Sequence, residues 1–136
     1  MSIENIFGIA NSALGAQSQR MTLIAQNLAN ADSVQSPDGG PYQRRVPVFE
    51  STPLDDTNDS GDGVKLAAVM RDQASPRQVY DPSNPFADAS GMVKEPAVNP
   101  LYEMVDMMQA ARSYQANLSI VETARTAALK TIDLLK

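Results

Sequence analysis

The chain has 136 residues, of which 43% are hydrophobic and 20% charged, a composition typical of a globular protein with about one domain. It contains no Cys, Trp or His, which excludes disulfides, Cys-ligated metal clusters and histidine acting as a general base. The net charge of −5 argues against nucleic acid as a partner, because phosphate backbones repel an acidic protein.

The sequence shows no signal for membrane insertion or signal cleavage. No stretch reaches the roughly 18 apolar residues that a membrane-spanning helix needs. The first residues, from Met1 to Asn5, lack the basic and apolar regions of a secretory signal peptide. We therefore expect either a cytoplasmic protein or one exported by a route that cleaves no signal.

Proline and charge divide the chain into three segments. All nine Pro residues lie between Pro37 and Pro100. Residues 31–100 hold eleven acidic and six basic side chains, which accounts for the whole net charge of −5. Large apolar side chains occupy 16 of these 70 residues, against 24 of the 66 residues outside. We predict two ends that bury an apolar seam and a middle ordered partly by neighbouring molecules, because its few apolar side chains offset little conformational entropy.

The N-terminal segment predicts a long helix. Its apolar positions recur with strict four-three spacing, which is the pattern of a coiled coil. Small residues between Ala10 and Ser18 would let another helix approach closely. The spacing does not say whether that other helix belongs to the same chain. The predicted seam consists of Ile3, Phe7, Ala10, Leu14, Gln17, Met21, Ile24 and Leu28.

The middle segment predicts turns and short strands. Residues 42–49 are strand-like, and Pro47 restricts them to a sheet edge or a bulge. Residues 64–70 and 78–80 are further strand candidates. Residues 36–41 form a dense turn signal rich in Pro and Gly.

Residues 55–63 predict a solvent-exposed acidic loop. From Asp56 onward the loop resembles the opening of an EF-hand calcium loop, but the twelfth position is Ala67 where calcium needs Glu. The adjacent Asp55 and Asp56 do not predict a catalytic pair, because nothing in the sequence predicts a cleft between them. We therefore predict no catalytic, cofactor-binding or metal-binding residues.

The C-terminal segment predicts a second long helix. Pro100 suits a helix start, and no Pro or Gly follows it. The two helices would be about 42 and 50 Å long, so they could pair along most of their length. A second apolar row, through Leu101, Val105, Met108 and Ile120, indicates that a further helix covers it. The predicted seam consists of Met104, Met107, Ala111, Tyr114, Leu118, Val121, Arg125, Ala128, Ile132 and Leu135.

The predicted fold is mainly α, with the terminal helices pairing as an antiparallel coiled coil around a turn-rich middle that contains short β-strands. Residues 1–30 and 100–136 would form one discontinuous helical domain, and residues 31–99 an extended β-hairpin region. A small helical-hairpin binding module or export adaptor would share this pattern and would be a stable monomer. An enzyme such as a cell-wall hydrolase would instead need a cleft with perturbed carboxylates.

Three blocks of the sequence, in order, resemble the signatures of bacterial flagellar rod and hook proteins. In the first, a helix ends at Asn27-Leu-Ala-Asn30 and a Pro-Tyr pair follows at Tyr42, after an insert at residues 33–39 that is typical of a proximal-rod member. The second covers residues 79–93, with Asn84 and Met92 where His and Tyr are usual. The third covers residues 103–117. The residues that carry the resemblance are Asn27, Asn30, Tyr42, Tyr80, Asp81, Pro82, Gly91, Ser113, Tyr114, Gln115 and Asn117.

The resemblance implies a structural subunit of the flagellar rod, a helical tube that links the membrane ring to the hook. The terminal helices would form its inner layer, and the middle would contact neighbours. The implied partners are copies of the chain, other rod proteins, the rod-to-membrane-ring adaptor with the ring, and the flagellar type III export apparatus. Export without signal cleavage would place the protein in the periplasmic part of the basal body. The resemblance implies no cofactor, small-molecule substrate or nucleic acid.

Overall fold

The computed structural model describes residues 3–37, 39–54 and 61–134, without the side chain of Ile3. Within these residues the sequence order is one long helix, four short antiparallel strands and a second long helix, which confirms the predicted helical ends and the short strands between them. The described part does not include residues 55–60 of the predicted acidic loop. It also leaves out two predicted seam side chains, those of Ile3 and Leu135. The elements are α1 (Ile3–Ala29), β1 (Arg45–Pro53), β2 (Asp62–Arg71), β3 (Arg77–Tyr80), β4 (Met92–Glu95) and α2 (Pro100–Leu134).

The two helices pack against each other, with the end of α1 beside the start of α2. A helix of the same chain therefore covers one face of α1. Asn99 caps α2, since its Oδ1 accepts a hydrogen bond from the backbone N of Leu101 at 3.0 Å, and Pro100 follows at the first helical position as predicted. Within the described residues, neither helix combines the length and apolar character needed to cross a membrane.

β1 and β2 form a two-stranded antiparallel ribbon that lies along α1. Pro47 pairs with Val69, and the register shifts between Val48 and Phe49. Pro47 thus lies on an edge strand beside a bulge, as the sequence predicted. β1 begins three residues later than the predicted strand, because Tyr42 and Arg44 are committed to side-chain contacts with the helices.

β3 and β4 form a second antiparallel hairpin, from Arg77 opposite Glu95 to Tyr80 opposite Met92. The sequence predicted β3 but not β4. β4 has only four residues and directly follows the Ser90-Gly91 turn, so its alternation is too short to stand out. Val93 of β4 is buried, whereas all four residues of β3 are exposed.

The apolar core is small and concentrated where α1 ends. Alanines on both helices are buried, which lets the two helices approach closely. Two buried side chains are polar, Asn27 and Glu103, each 1% exposed. Among the described residues, the buried apolar side chains are Ala10, Ala16, Leu23, Ile24, Ala31, Val93, Pro96, Val98 and Ala110.

Candidate assembly interface

Asn27 joins the end of α1 to two other parts of the chain. Its Nδ2 donates to the backbone O of Arg45 at 2.9 Å and to Glu103 Oε2 at 3.1 Å. Its Oδ1 accepts from the backbone N of Arg45 at 2.8 Å and from the Tyr42 hydroxyl at 2.9 Å. These four bonds use the full capacity of a side-chain amide. Together with Arg44 and Asp106, these residues are called the Asn27 network below.

Glu103 brings a carboxylate into the buried part of the Asn27 network. Arg44 Nε donates to Glu103 Oε1 at 2.5 Å, and Arg44 Nη2 donates to Asp106 Oδ2 at 3.3 Å. A buried carboxylate is tolerated when it is paired and hydrogen-bonded, and Arg44 and Asn27 supply both conditions. Both acidic partners of Arg44 come from α2, so the ion pairs fix the segment before β1 against the second helix.

Tyr42 completes the network as a neutral donor. Burial raises the pKa of its hydroxyl, and the negative charge of Glu103 acts in the same direction, whereas the positive charge of Arg45 opposes the shift. The hydroxyl therefore keeps its proton at neutral pH and donates it to Asn27 Oδ1.

The far end of the β1–β2 ribbon is held on α1 by a second contact. Ser12 Oγ donates to the backbone O of Ile9 at 2.7 Å and accepts from the backbone N of Val64 at 3.1 Å. A Cβ on Gly63 would lie 2.8 Å from Ser12 Oγ, so only glycine allows this approach. The ribbon is therefore fixed to α1 at both of its ends.

Apart from Ile3, whose side chain lies outside the described part, the predicted seam residues of α1 are buried or partly shielded from solvent. Ile24 is buried, and Phe7, Leu14, Met21 and Leu28 are partly shielded. α1 packs against both α2 and the β1–β2 ribbon.

The predicted seam residues of α2 fall into two groups. Met107, Tyr114 and Val121 are partly shielded, whereas Met104 and Leu118 are exposed. Ile132 is also exposed. The shielded stripe has four-three spacing, but every other position lies one residue before the predicted one. The stripe consists of Glu103, Met107, Ala110, Tyr114, Asn117, Val121, Ala124 and Ala128.

Outside the shielded stripe α2 exposes many large apolar side chains. Met108, for example, is 55% exposed, and the predicted second apolar row is exposed throughout. Large exposed apolar surfaces mark sites of interaction with other molecules. The exposed apolar residues, called the outer face of α2 below, are Leu101, Tyr102, Met104, Val105, Met108, Leu118, Ile120, Leu129, Ile132 and Leu134.

Two aspartates fix the loop between β3 and β4. Asp81 Oδ1 accepts from Ser83 Oγ at 2.6 Å, and Asp88 Oδ1 accepts from Ser90 Oγ at 2.6 Å and from Ser90 N at 2.8 Å. These serine hydrogen bonds lower the pKa of both carboxyls. The loop is thus closed by ionised side chains.

The remaining motif residues of this loop pack around a glycine. Gly91 has a φ of 78°, which disfavours other residues, and a Cβ there would lie 2.9 Å from the ring of Tyr80 and 3.2 Å from Pro82. The consecutive residues Tyr80, Asp81 and Pro82 therefore pack against Gly91 across the loop, and Asp81 N donates to the backbone O of Gly91 at 3.0 Å.

The other motif residues lie on the helices or just beyond them. Asn30 Nδ2 donates to the backbone O of Gln26 at 2.8 Å and closes the last turn of α1. On α2, Ser113 and Asn117 are half-buried in or beside the shielded stripe, while Gln115 is exposed.

A cleft of about 700 Å³ lies beside the segment that precedes β1. Its described lining includes Gln26, Tyr42, Arg45 and Arg71 but no carboxylate. No cluster of potential metal ligands occurs in the described ranges.

Sequence reasoning did not single out Arg44, Glu103 and Asp106 as site residues. Glu103 gave no usable signal, because the apolar spacing placed the predicted seam at its neighbour Met104. The two partners of Arg44 lie 59 and 62 residues further along the chain, so its neighbours in sequence do not reveal them.

A family model and several known proteins match the sequence of this chain. Residues 89–134 match the family model described as flagellar basal body rod FlgEFG protein C-terminal. The chain is 49% identical over 136 residues to flagellar basal-body rod protein FlgC of Salmonella typhimurium strain LT2, with 98% of each chain covered. The FlgC proteins of Escherichia coli O157:H7 and of Buchnera aphidicola subsp. Schizaphis graminum are 49% and 40% identical, again with 98% of each chain covered. The chain therefore belongs to the FlgC family of flagellar basal-body rod proteins, which are structural components and not enzymes.

Proposed function

We propose that this chain is a subunit of the proximal rod, which assembles helically into the shaft that transmits torque from the membrane ring to the hook. The outer face of α2 is the observation that carries the proposal. Burying apolar surface contributes roughly 25 cal/mol per Å², so side chains such as Met108 favour association over the free chain.

Within the subunit, α1 and α2 act as an antiparallel coiled coil that forms the inner layer of the rod. The four-three spacing of the shielded stripe on α2 supports this arrangement, as does the contact of Asn27 with Glu103 at one pole. Residues 1–30 and 100–136 form this helical domain. Residues 31–99 contact neighbouring subunits, since among the described elements no helix packs on the exposed β3.

The shape of the subunit suits an open assembly. The exposed apolar surface extends along α2 from Leu101 to Leu134, so contacts that join one part of it to a different part of the next subunit would repeat as an open helix and not as a closed dimer. The partners are copies of the chain, other rod proteins, and the adaptor and membrane ring below them. The chain reaches the periplasmic rod through the flagellar type III export apparatus without signal cleavage.

Complementation of a flagellated strain that lacks its own copy tests this function. The wild-type chain is expected to restore rods, hooks and swimming. Met108→Asp should be exported but should not support rods, because it places a charge in a buried contact. Met108→Leu is the matched control and should swim normally. Normal rods with Met108→Asp would overturn the assignment of this surface.

A further inference from the structure

The two outer edges of the β1–β2 ribbon are protected to different degrees. At the start of β1, both backbone groups of Arg45 are occupied by the side chain of Asn27. Pro47 and Pro53 then offer no N–H along the same edge. The outer edge of β1 is therefore closed to pairing with another strand.

The hydrogen bonds at the two ends of the ribbon show which groups of β2 point outward. Asp72 N donates to Arg44 O at 2.8 Å, so Arg45 and Arg71, and then Pro47 and Val69, form pairs without mutual hydrogen bonds. The N–H and C=O of Val69 consequently point away from β1. At the other end of the ribbon, Val64 N also points outward and is taken by Ser12.

The outer edge of β2 from Leu66 to Met70 has neither a proline nor a described side chain bonded to it, although the register shift leaves Ala67 unpaired within it. It contains no Pro and no charged residue, and Val69 and Met70 are 44% and 58% exposed. No described residue bonds the outward backbone groups of Val69. An exposed apolar edge with free backbone groups is a template for strand addition.

We propose that residues 66–70 accept an extended segment of a neighbouring rod subunit as a third strand. This inference rests on the proposed function, because the added strand belongs to another subunit of the rod. Its chemistry follows from the edge, which is apolar in the centre and bounded by the basic Lys65 and Arg71. The matching segment has alternating apolar residues and acidic residues at its flanks.

A second copy of the same edge is a poor partner by this criterion. Antiparallel pairing of two copies about Ala68 would place Lys65 of each opposite Arg71 of the other. Like charges directly opposite each other destabilise a strand pair. The charge pattern thus favours an acidic segment over self-pairing.

Val69, which lies opposite Pro47, is the position at which strand addition can be tested. Val69→Pro removes the outward N–H and leaves the hydrogen bonds to β1 in place, as Pro47 already does on the other strand. In the complementation strain we expect about tenfold fewer rods per cell, because the loss of roughly one hydrogen bond weakens the contact between subunits by about that factor. Val69→Thr keeps the N–H and should assemble like the wild type. Equal rod numbers with Val69→Pro and wild type would overturn the proposal while leaving the proposed function intact.

Hydrogen exchange in the wild-type chain tests the proposal even if the Val69→Pro chain misfolds. In wild-type rods, exchange in residues 66–70 should be at least about tenfold slower than in the free chain. Equal exchange in the two states would overturn the proposal. If the wild-type chain itself restores no rods, the result contradicts the proposed function as a whole and not only the proposal about the edge of β2.

A charge exchange identifies the occupant. Lys65→Glu combined with Glu50→Lys keeps the ion pair between these residues, now 2.9 Å apart, but reverses the charge beside the edge. Fewer rods than the wild type are expected if the added strand has acidic flanks. Unchanged or increased rod numbers would contradict this choice of partner, and an increase would point to self-pairing.

Discussion

The side-chain amide of Asn27 meets the backbone of Arg45 as the peptide group of a neighbouring strand would. Oδ1 accepts from Arg45 N at 2.8 Å and Nδ2 donates to Arg45 O at 2.9 Å. The last turns of α1 thereby set where β1 begins. Because Asn27 also bonds Tyr42 and Glu103, one side chain fixes both helices and the ribbon relative to each other.

Asn27→Ala should destabilise the free chain by about 3 kcal/mol, because it leaves buried groups of Arg45, Tyr42 and Glu103 without partners. Urea denaturation followed by circular dichroism measures the change. Asn30→Ala removes an exposed amide with only local bonds and should cost less than about 1 kcal/mol. Equal losses for the two variants would show that the network adds nothing.

Two glycines should respond in opposite directions to the same change. Gly63→Ala places a methyl group 2.8 Å from Ser12 Oγ and should destabilise the free chain by about 1–3 kcal/mol. Gly15 lies in α1 with nothing within 4 Å of an added Cβ, so Gly15→Ala should stabilise by about 0.5–1 kcal/mol. Thermal melting of the purified variants gives both signs, and a stabilising Gly63→Ala would contradict the tight contact.

Arg44 and Glu103 should be energetically coupled. A double-mutant cycle with Arg44→Met and Glu103→Gln should give an interaction energy of about 1–3 kcal/mol, because Glu103 is buried. The exposed pair of Arg77 and Glu95 should give less than about 1 kcal/mol in the same measurement. Additive effects of Arg44→Met and Glu103→Gln would show that the buried pair is not a unit.

The loop between β3 and β4 should loosen in acid. The pKa values of Asp81 and Asp88 are lowered in the folded chain, so their stabilising effect is present above the usual aspartate pKa of about 4 and is lost as pH falls through the lowered values. The amide signals of Ser83 and Ser90 in NMR spectra should shift over this range. Asp88→Asn keeps a turn-forming side chain but does not titrate. With that variant the Ser90 signal should stay constant, and a Ser90 signal that still moved would assign the transition to another group.

The helices could be predicted from sequence because their periodicity extends over many turns. Pro100 marked the start of α2 correctly, and residues 64–70 lie within β2. β4 was missed because four residues after a turn give no periodic signal. The Asn27 network could not be predicted, since Asn27 and Glu103 are 76 residues apart and only packing of the two helices brings them together.

The shielded stripe of α2 shows a second limit of sequence patterns. Apolar spacing favoured Leu118, but the half-buried position is the neighbouring Asn117. A shift of one residue leaves the four-three spacing of a helix almost unchanged, so periodicity does not distinguish Asn117 from Leu118. Close approach of the helices favours the smaller side chains at Ala110 and Ala124. Leu118 is left on the outer face of α2, where a neighbouring molecule can cover it.

Accessibility of the outer face of α2 in the assembled rod tests the central claim most directly. The chain contains no Cys, so Met108→Cys introduces a single thiol at a position that is 55% exposed in the free chain. A water-soluble maleimide should label this thiol rapidly in the purified chain and at least about tenfold more slowly in isolated basal bodies, because rod contacts bury it. Equal labelling rates in the free chain and in the rod would show that the outer face of α2 is not an assembly surface.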